Sequence, residues 1–248
     1  MNINIDGLNI EYIKKGEGEN KILLLHGWGC NINTFAYITN YLSKFMEVYV
    51  IDFPGFGKSD EPKEVWNVDN YADLIQKFIE KMEIKKISLL GHSFGGRVII
   101  KLVNRKNLKF KIDKLVLIDS AGIRHEPKKT FKQKLYKKVF PIIKKISPEL
   151  LNKIKTKVGS EDYRNATPMM RDILVKTINE DLSKLVPTIK NPTLIIWGEN
   201  DTATPYEDAK YLNKNIEDSG IVKVENAGHF SFLDNPYLVN KALESFLK

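Results

Sequence analysis

A single cysteine, Cys30, occurs in 248 residues, so no disulfide can close within the chain. With no cluster of cysteine and histidine there is also no zinc site to read, and no metal is expected. Long apolar runs are missing too. Stretches such as 22–25 and 194–197 are four residues each, far below the roughly 20 that a membrane-spanning helix needs. The opening Met1-Asn-Ile-Asn-Ile-Asp-Gly7 has neither the basic stretch nor the apolar segment of a secretion signal. A cytoplasmic protein without stable membrane insertion is therefore expected.

What remains is ordinary globular material, 42% hydrophobic and 28% charged, long enough for one large domain with a substantial core. The net charge of +8 is unevenly spread. Residues 123–187 hold 16 Lys and Arg against 7 Asp and Glu, which leaves the rest of the chain about neutral. Such a local imbalance says more than a high isoelectric point does. It suits an anionic partner, or simply a lysine-rich solvated surface. The segment carries no recognised nucleic-acid motif, and its aromatics fall on the apolar period, so no nucleic-acid partner is expected.

Apolar runs alternate with amphipathic helical patterns along most of the chain. Residues 3–5 and 8–13, joined by Asp6-Gly7, read as a hairpin. Strands are expected at 22–25, 48–51, 87–90, 115–118, 193–197 and 221–224, and helices at 34–45, 69–82, 97–104, 206–213 and 236–247. This rhythm predicts an α/β fold, a mostly parallel central sheet with helices on both faces. Sites in such sheets lie beyond the carboxyl ends of the strands. After Asp119-Ser-Ala-Gly122 the rhythm breaks. Residues 123–187 show helical periodicity (Phe131, Leu135, Val139, Ile142, Ile146, Leu150, Ile154), divided by Pro141 and Pro148, and no strand. The expected organisation is a core of 1–122 and 188–248 with a helical cap inserted at 123–187.

The segment Ile87-Ser-Leu-Leu-Gly-His-Ser-Phe-Gly-Gly96 carries the chemistry. Gly-x-Ser-x-Gly between a buried strand and a helix is the signature of a nucleophile elbow. The glycines permit a turn tight enough to lift the Ser93 hydroxyl clear of the sheet. A serine needs a base, and the base an orienting acid, following in the order Ser, acid, His. Downstream of Ser93 there are two histidines, His125 and His229. His229, in the loop after the last expected strand and beside Gly228, is the expected base, whereas His125 reads as surface or pocket wall. Asp201, just beyond the strand at 193–197, is the favoured acid. Asp119, also at a strand end, competes with it. Asp52 reads instead as part of a structural turn. The oxyanion needs two converging amides. These are expected from Phe94, at a helix N-terminus, and from Trp28, in the glycine-flanked loop after 22–25. Trp28, Phe94 and Phe230 are the expected substrate contacts.

The set Leu25-His-Gly-Trp-Gly29, Asp52-Phe-Pro-Gly-Phe-Gly-Lys-Ser59, Gly91-His-Ser-Phe-Gly95, Gly198-Glu-Asn-Asp201 and Gly228-His229 resembles the α/β-hydrolase superfamily from the first strands to the C-terminus. The resemblance implies the α/β-hydrolase fold, Ser93 as nucleophile, His229 as base and Asp201 as orienting acid. It also implies cleavage of a small-molecule carboxylic ester of small to medium acyl group through an acyl-enzyme, with no cofactor. Serine rather than aspartate at position 93 argues against haloalkane dehalogenases and epoxide hydrolases. The His-Gly-Trp-Gly loop is also similar to that of the carboxylesterases that demethylate a carrier-bound pimeloyl ester and recognise an acidic carrier protein through basic cap residues. Their elbow usually reads Gly-Trp-Ser-Leu-Gly, not Gly-His-Ser-Phe-Gly. Carbon–carbon bond hydrolases of the superfamily often carry Trp after the catalytic His, where this chain has Phe230. A low-turnover ligand-binding receptor of the same fold is the alternative of another class. Phe131, Leu135, Val139 or Phe140 are expected to line an apolar pocket under the cap.

Overall fold

The computed structural model describes residues 1–124 and 160–248. Its strands are β1 (Asn2–Ile5), β2 (Leu8–Lys15), β3 (Lys21–Leu25), β4 (Glu47–Ile51), β5 (Lys86–His92), β6 (Lys111–Ile118), β7 (Thr193–Gly198) and β8 (Ser219–Val224). They form one sheet in the order β1-β2-β4-β3-β5-β6-β7-β8. β1 and β2 are a hairpin whose two turn residues, Asp6 (φ 51°) and Gly7 (φ 81°), are both left-handed, as the favoured two-residue hairpin turns require. β2 pairs antiparallel with β4, and every later pairing is parallel.

Both faces of the parallel strands are buried, which is why they read as continuous apolar runs rather than alternating ones. Leu23, Leu25, Leu89, Leu115 and Leu117 face one core cluster. Ile22, Leu24, Leu90, Val116 and Ile118 face the other. Fully burying each such side chain contributes about 1.5–3 kcal/mol. The main helices are α1 (Ala36–Leu42), α2 (Val68–Lys81), α3 (Phe94–Val103), α4 (Glu161–Asn165), α5 (Pro168–Ile178), α6 (Tyr206–Asn215), α7 (Ser231–Asp234) and α8 (Pro236–Leu247). α2 shows why these segments are helical. Asn67 caps its start in a reciprocal box with Asn70, Lys81 sits in the last turn, and Tyr71, Leu74, Ile75, Phe78 and Ile79 make its buried stripe.

Two elements begin three or more residues earlier than the sequence patterns indicate. β6 starts at Lys111, because the polar Asp113-Lys114 interrupts the apolar run while the backbone is already paired with β5, Lys86 to Lys111. α3 starts at Phe94, directly after Ser93, so the elbow glycines Gly95 and Gly96 belong to its first turn. The order in which the chain adds its parallel strands reverses at β3, whose neighbours are β4 on one side and β5 on the other. The loops after β3 and β5 therefore diverge, opening the crevice in which sites of such sheets lie.

Within 160–187 the described residues contain α4, α5 and most of a 3-10 turn at Ser183–Thr188, and no strand. Thr167 caps α5 and Pro168 occupies its first turn. His125 and the expected pocket residues Phe131, Leu135, Val139 and Phe140 lie outside the described residues. So does the basic excess: residues 160–187 hold Arg164, Arg171, Lys176 and Lys184 against five carboxylates. Among the described residues no helix is long and apolar enough to cross a membrane.

Candidate active site

Ser93 stands between β5 and α3 at φ 50° and ψ −111°, a backbone conformation that costs a non-glycine residue about 1–3 kcal/mol. The surroundings hold it there. Its amide donates to Ile118 O at 3.1 Å, and its carbonyl accepts from Ala121 N at 2.9 Å and Gly96 N at 3.1 Å. The flanking glycines are sterically required. A Cβ on Gly91 would sit 2.5 Å from Gly96 N, and one on Gly95 would sit 1.9 Å from Leu25 O.

The turn aims the Ser93 hydroxyl at His229, in the loop after β8, with Oγ 2.9 Å from Nε2. On the other side of the ring, His229 Nδ1 lies 2.7 Å from Asp201 Oδ2. These partners assign the tautomer: Nδ1–H donates to the carboxylate, and Nε2 accepts the serine proton. Asp201 also accepts from Ala203 N (2.8 Å), Thr204 N (2.9 Å) and the Thr204 hydroxyl (2.7 Å). Its side chain has no exposed surface, whereas that of His229 is 22% exposed. Burial alone would raise the Asp201 pKa, but the bonds from His229 and Thr204 outweigh it and hold the carboxyl below its ordinary value.

Asp119 has a different job. It is buried, its Oδ1 accepts from Gly198 N (2.8 Å), and its Oδ2 accepts from Ser231 N (3.0 Å) and Ser231 Oγ (2.7 Å). It therefore ties the end of β7 to the start of α7, the two segments that present Asp201 and His229. Burial, reinforced by the nearby Asp201, pushes its pKa up to about 7 against the pull of those donors. Asp52 accepts from Ile32 N and Lys58 N and organises the turn after β4.

Two further histidines brace the site. His92 is buried, and its Nε2–H donates to the His229 carbonyl at 2.7 Å. Its ring packs 4.9 Å from Phe230 and 5.1 Å from Phe232. His26 Nδ1–H donates to Gly27 O (2.7 Å) while its Nε2 accepts from Phe53 N (3.0 Å), which shapes the loop carrying Trp28. The Trp28 ring stands edge-on to Phe94 and Phe56, with centroids 5.5 and 4.9 Å away. Neither the Trp28 nor the Phe94 amide donates to an acceptor among the described residues.

Burial depresses the pKa of His26 to about 4 and of His92 to about 3 from an ordinary 6.5, whereas Asp119 is raised from 3.8 to about 7. Between these limits the unfolded chain binds nearly two extra protons on the histidines, and the folded chain binds one extra on Asp119. Unfolding therefore takes up about one proton, so stability falls with acidification from about pH 6.5 to 4 by roughly 1 kcal/mol per unit from these groups. Urea unfolding across that range tests this; a flat or inverted trend would contradict it.

Ser93 and His229 open onto a cavity of about 570 Å³, with Trp28, Phe94 and Phe230 also on its lining. Ile123, Leu174 and Ile178 supply apolar wall, and among the described residues Arg97, Arg124, Asp162 and Asp208 are the charged lining residues. A smaller cavity of about 300 Å³ lies at the opposite, amino ends of the parallel strands, by Lys21 and Lys86, and has no access to Ser93. No group of three or more His, Cys, Asp or Glu that could hold a metal ion occurs among the described residues. Thus the structure brings Ser93, His229 and Asp201 into one chain of hydrogen bonds, with Trp28, Phe94 and Phe230 at the same cavity. The supports from His92 and Asp119, and the cavity position of Arg97, are not readable from one sequence, because each depends on a partner far along the chain; Thr204, three residues after Asp201, is local but carries no motif that marks it.

The family model for the alpha/beta hydrolase family matches residues 22–242. An AB hydrolase superfamily protein of Bacillus subtilis (strain 168), YisY, is 30% identical over 254 residues, spanning 91% of this chain and 90% of its own. A pimeloyl-[acyl-carrier protein] methyl ester esterase of Proteus mirabilis (strain HI4320) is 27% identical over 248 residues, spanning 89% and 90%. Among solved structures, an esterase from Exiguobacterium antarcticum superposes with a TM-score of 0.76 at 26% identity, covering 98% of this chain and 97% of that one. The chain belongs to the alpha/beta hydrolase family and is a hydrolase.

Proposed function

We propose that the protein hydrolyses a carboxylic ester of small to medium acyl group through an acyl-enzyme on Ser93. The observation that carries this reading is the unbroken relay from Ser93 Oγ through His229 to Asp201, at 2.9 and 2.7 Å, opening on the 570 Å³ cavity. His229 Nε2 takes the hydroxyl proton as Oγ attacks the ester carbonyl, and Asp201 stabilises the imidazolium without being protonated. The Phe94 amide, at the N-terminus of α3, and the Trp28 amide then bind the tetrahedral oxyanion. Each such donor typically lowers the barrier by about 3 kcal/mol. His229 returns the proton to the leaving alcohol and next activates water, which releases the acid and restores Ser93.

The ester-cleaving names of two relatives, the pimeloyl-[acyl-carrier protein] methyl ester esterase and the Exiguobacterium esterase, favour an ester over other hydrolase substrates. A carrier-bound ester would be cleaved by the same steps. The test is turnover of p-nitrophenyl esters of increasing acyl length. Activity with an optimum among short to medium chains is expected; no turnover of any ester would contradict the reading.

A further inference from the structure

We infer that the preferred substrate carries a carboxylate, received by Arg97; the inference rests on the ester-hydrolase reading of the site. Arg97 follows Ser93 by four residues, in the first turn of α3, with its amide 3.4 Å from the Ser93 carbonyl. Both line the 570 Å³ cavity. The arginine is only 5% exposed, and a buried cation requires compensation.

Among the described residues Arg97 receives the nearby charges of Glu180 and Asp181 and one hydrogen bond, but no direct ion pair. Nη1 donates to the Glu180 carbonyl, and no carboxylate forms an ion pair with the guanidinium among the described residues. The two acidic neighbours are engaged elsewhere. Glu180 Oε1 lies 2.6 Å from Lys101 Nζ. Asp181 accepts from the Arg124 amide and from the amide and hydroxyl of Ser183. The Nε and Nη2 donors of Arg97 have no acceptor among the described residues. Burial lowers its pKa to about 10, which leaves it cationic at neutral pH.

A guanidinium whose parallel Nε and Nη2 donors have no acceptor among the described residues matches a carboxylate, which it can bind through two hydrogen bonds. Ile123, Leu174 and Ile178 supply apolar wall for a spacer between that carboxylate and the ester. The rest of the charged lining among the described residues argues for Arg97 as the anchor. Asp162 lies against the oxyanion loop, where a Cβ on Gly29 would meet its Oδ1 at 3.2 Å, so an anion is disfavoured at that end. Asp208 has interactions of its own, and Arg124 is exposed.

The test compares kcat/KM of the wild type on two matched sets of esters at low salt. In one set, monomethyl esters of dicarboxylic acids of roughly four to eight carbons, a span suited to one helical turn, are set against methyl esters of the monocarboxylic acids of equal length. In the other, acetate esters of ω-hydroxy acids are set against alkyl acetates, so that the anion lies on the alcohol side. In one set the anionic member is expected to be preferred about tenfold or more. Arg97→Met should bring that ratio close to one, and Arg97→Lys should retain part of it. Neutral esters turned over as well as anionic ones in both sets, or a preference that survives Arg97→Met, would overturn the inference and leave the esterase reading standing. Failure to turn over any ester would overturn both. If Arg97→Met does not fold, for want of its bond to Glu180, Arg97→Lys decides: a ratio reduced below that of the wild type is expected, and a ratio unchanged from the wild type would overturn the inference.

Discussion

Replacing Ser93 by alanine is expected to lower kcat toward a p-nitrophenyl ester by about 10⁶-fold, leaving a residue of roughly 10³-fold over water from the oxyanion amides and binding. The loss is this large because no other group supplies the nucleophile. His229 is too far along the relay to attack in its place without abandoning Asp201, its partner at 2.7 Å. The fold should survive the change. Ser93 makes no side-chain cap on α3, its hydroxyl bonds to His229, and its backbone is held by Ile118, Ala121 and Gly96. Alanine fits the same turn, since the demand for glycine falls on Gly91 and Gly95. A thermal melt close to that of the wild type should therefore accompany the lost turnover. A variant that keeps more than a few per cent of wild-type activity would remove Ser93 from the mechanism.

Asp201→Asn is expected to be the next most damaging change, lowering kcat by about 10⁴-fold. Asp201 accepts from four donors: His229 Nδ1–H, the Thr204 hydroxyl, and the Ala203 and Thr204 amides. An asparagine offers one acceptor oxygen. With that oxygen kept on the two amides, its NH2 faces His229 Nδ1 and favours the tautomer with the proton on Nε2, which can no longer accept from Ser93. The variant should also lose stability by about 1–3 kcal/mol, because buried donors are left without acceptors. The pH dependence supports the same assignment. The Asp201 carboxyl is held below its ordinary value in the fold, so its contribution is present above the unfolded carboxylate pKa and disappears as pH falls through the folded one. Urea unfolding and kcat measured side by side separate the two effects. The same substitution at Asp119 leaves the His229–Asp201 bond in place, so its damage should fall mainly on stability. Equal loss of kcat in both variants would contradict this division.

The parallel strands were legible because burial on both faces makes them unbroken apolar runs, Ile22 to Leu25 being typical, and β6 was truncated where Asp113 and Lys114 break that signal. The elbow was legible as a motif, but only half of its steric basis is local: a Cβ on Gly91 would meet Gly95 and Gly96 of the same segment, whereas one on Gly95 would meet Leu25 at the end of β3. Two acids at strand ends, Asp119 and Asp201, competed in the sequence, with Asp201 favoured for its place beyond the strand at 193–197. Their partners in the structure are His229 for Asp201, and Gly198 and Ser231 for Asp119. His92 illustrates the limit best. Within Gly-x-Ser-x-Gly it occupies a position with no required side chain, and its bond to the His229 carbonyl joins residues 137 apart in sequence. Arg97 is likewise an unremarked residue of an apolar helix until the cavity is seen.

The central claim, that Ser93 is an activated nucleophile, is tested most directly by covalent capture. The wild type is treated with a fluorophosphonate, its intact mass is measured, and the modified peptide is mapped. The account predicts a single adduct, on the peptide containing Ser93, with labelling slowed by a competing ester and absent from Ser93→Ala. An unlabelled protein that still hydrolyses esters, or an adduct on any other residue, would contradict it.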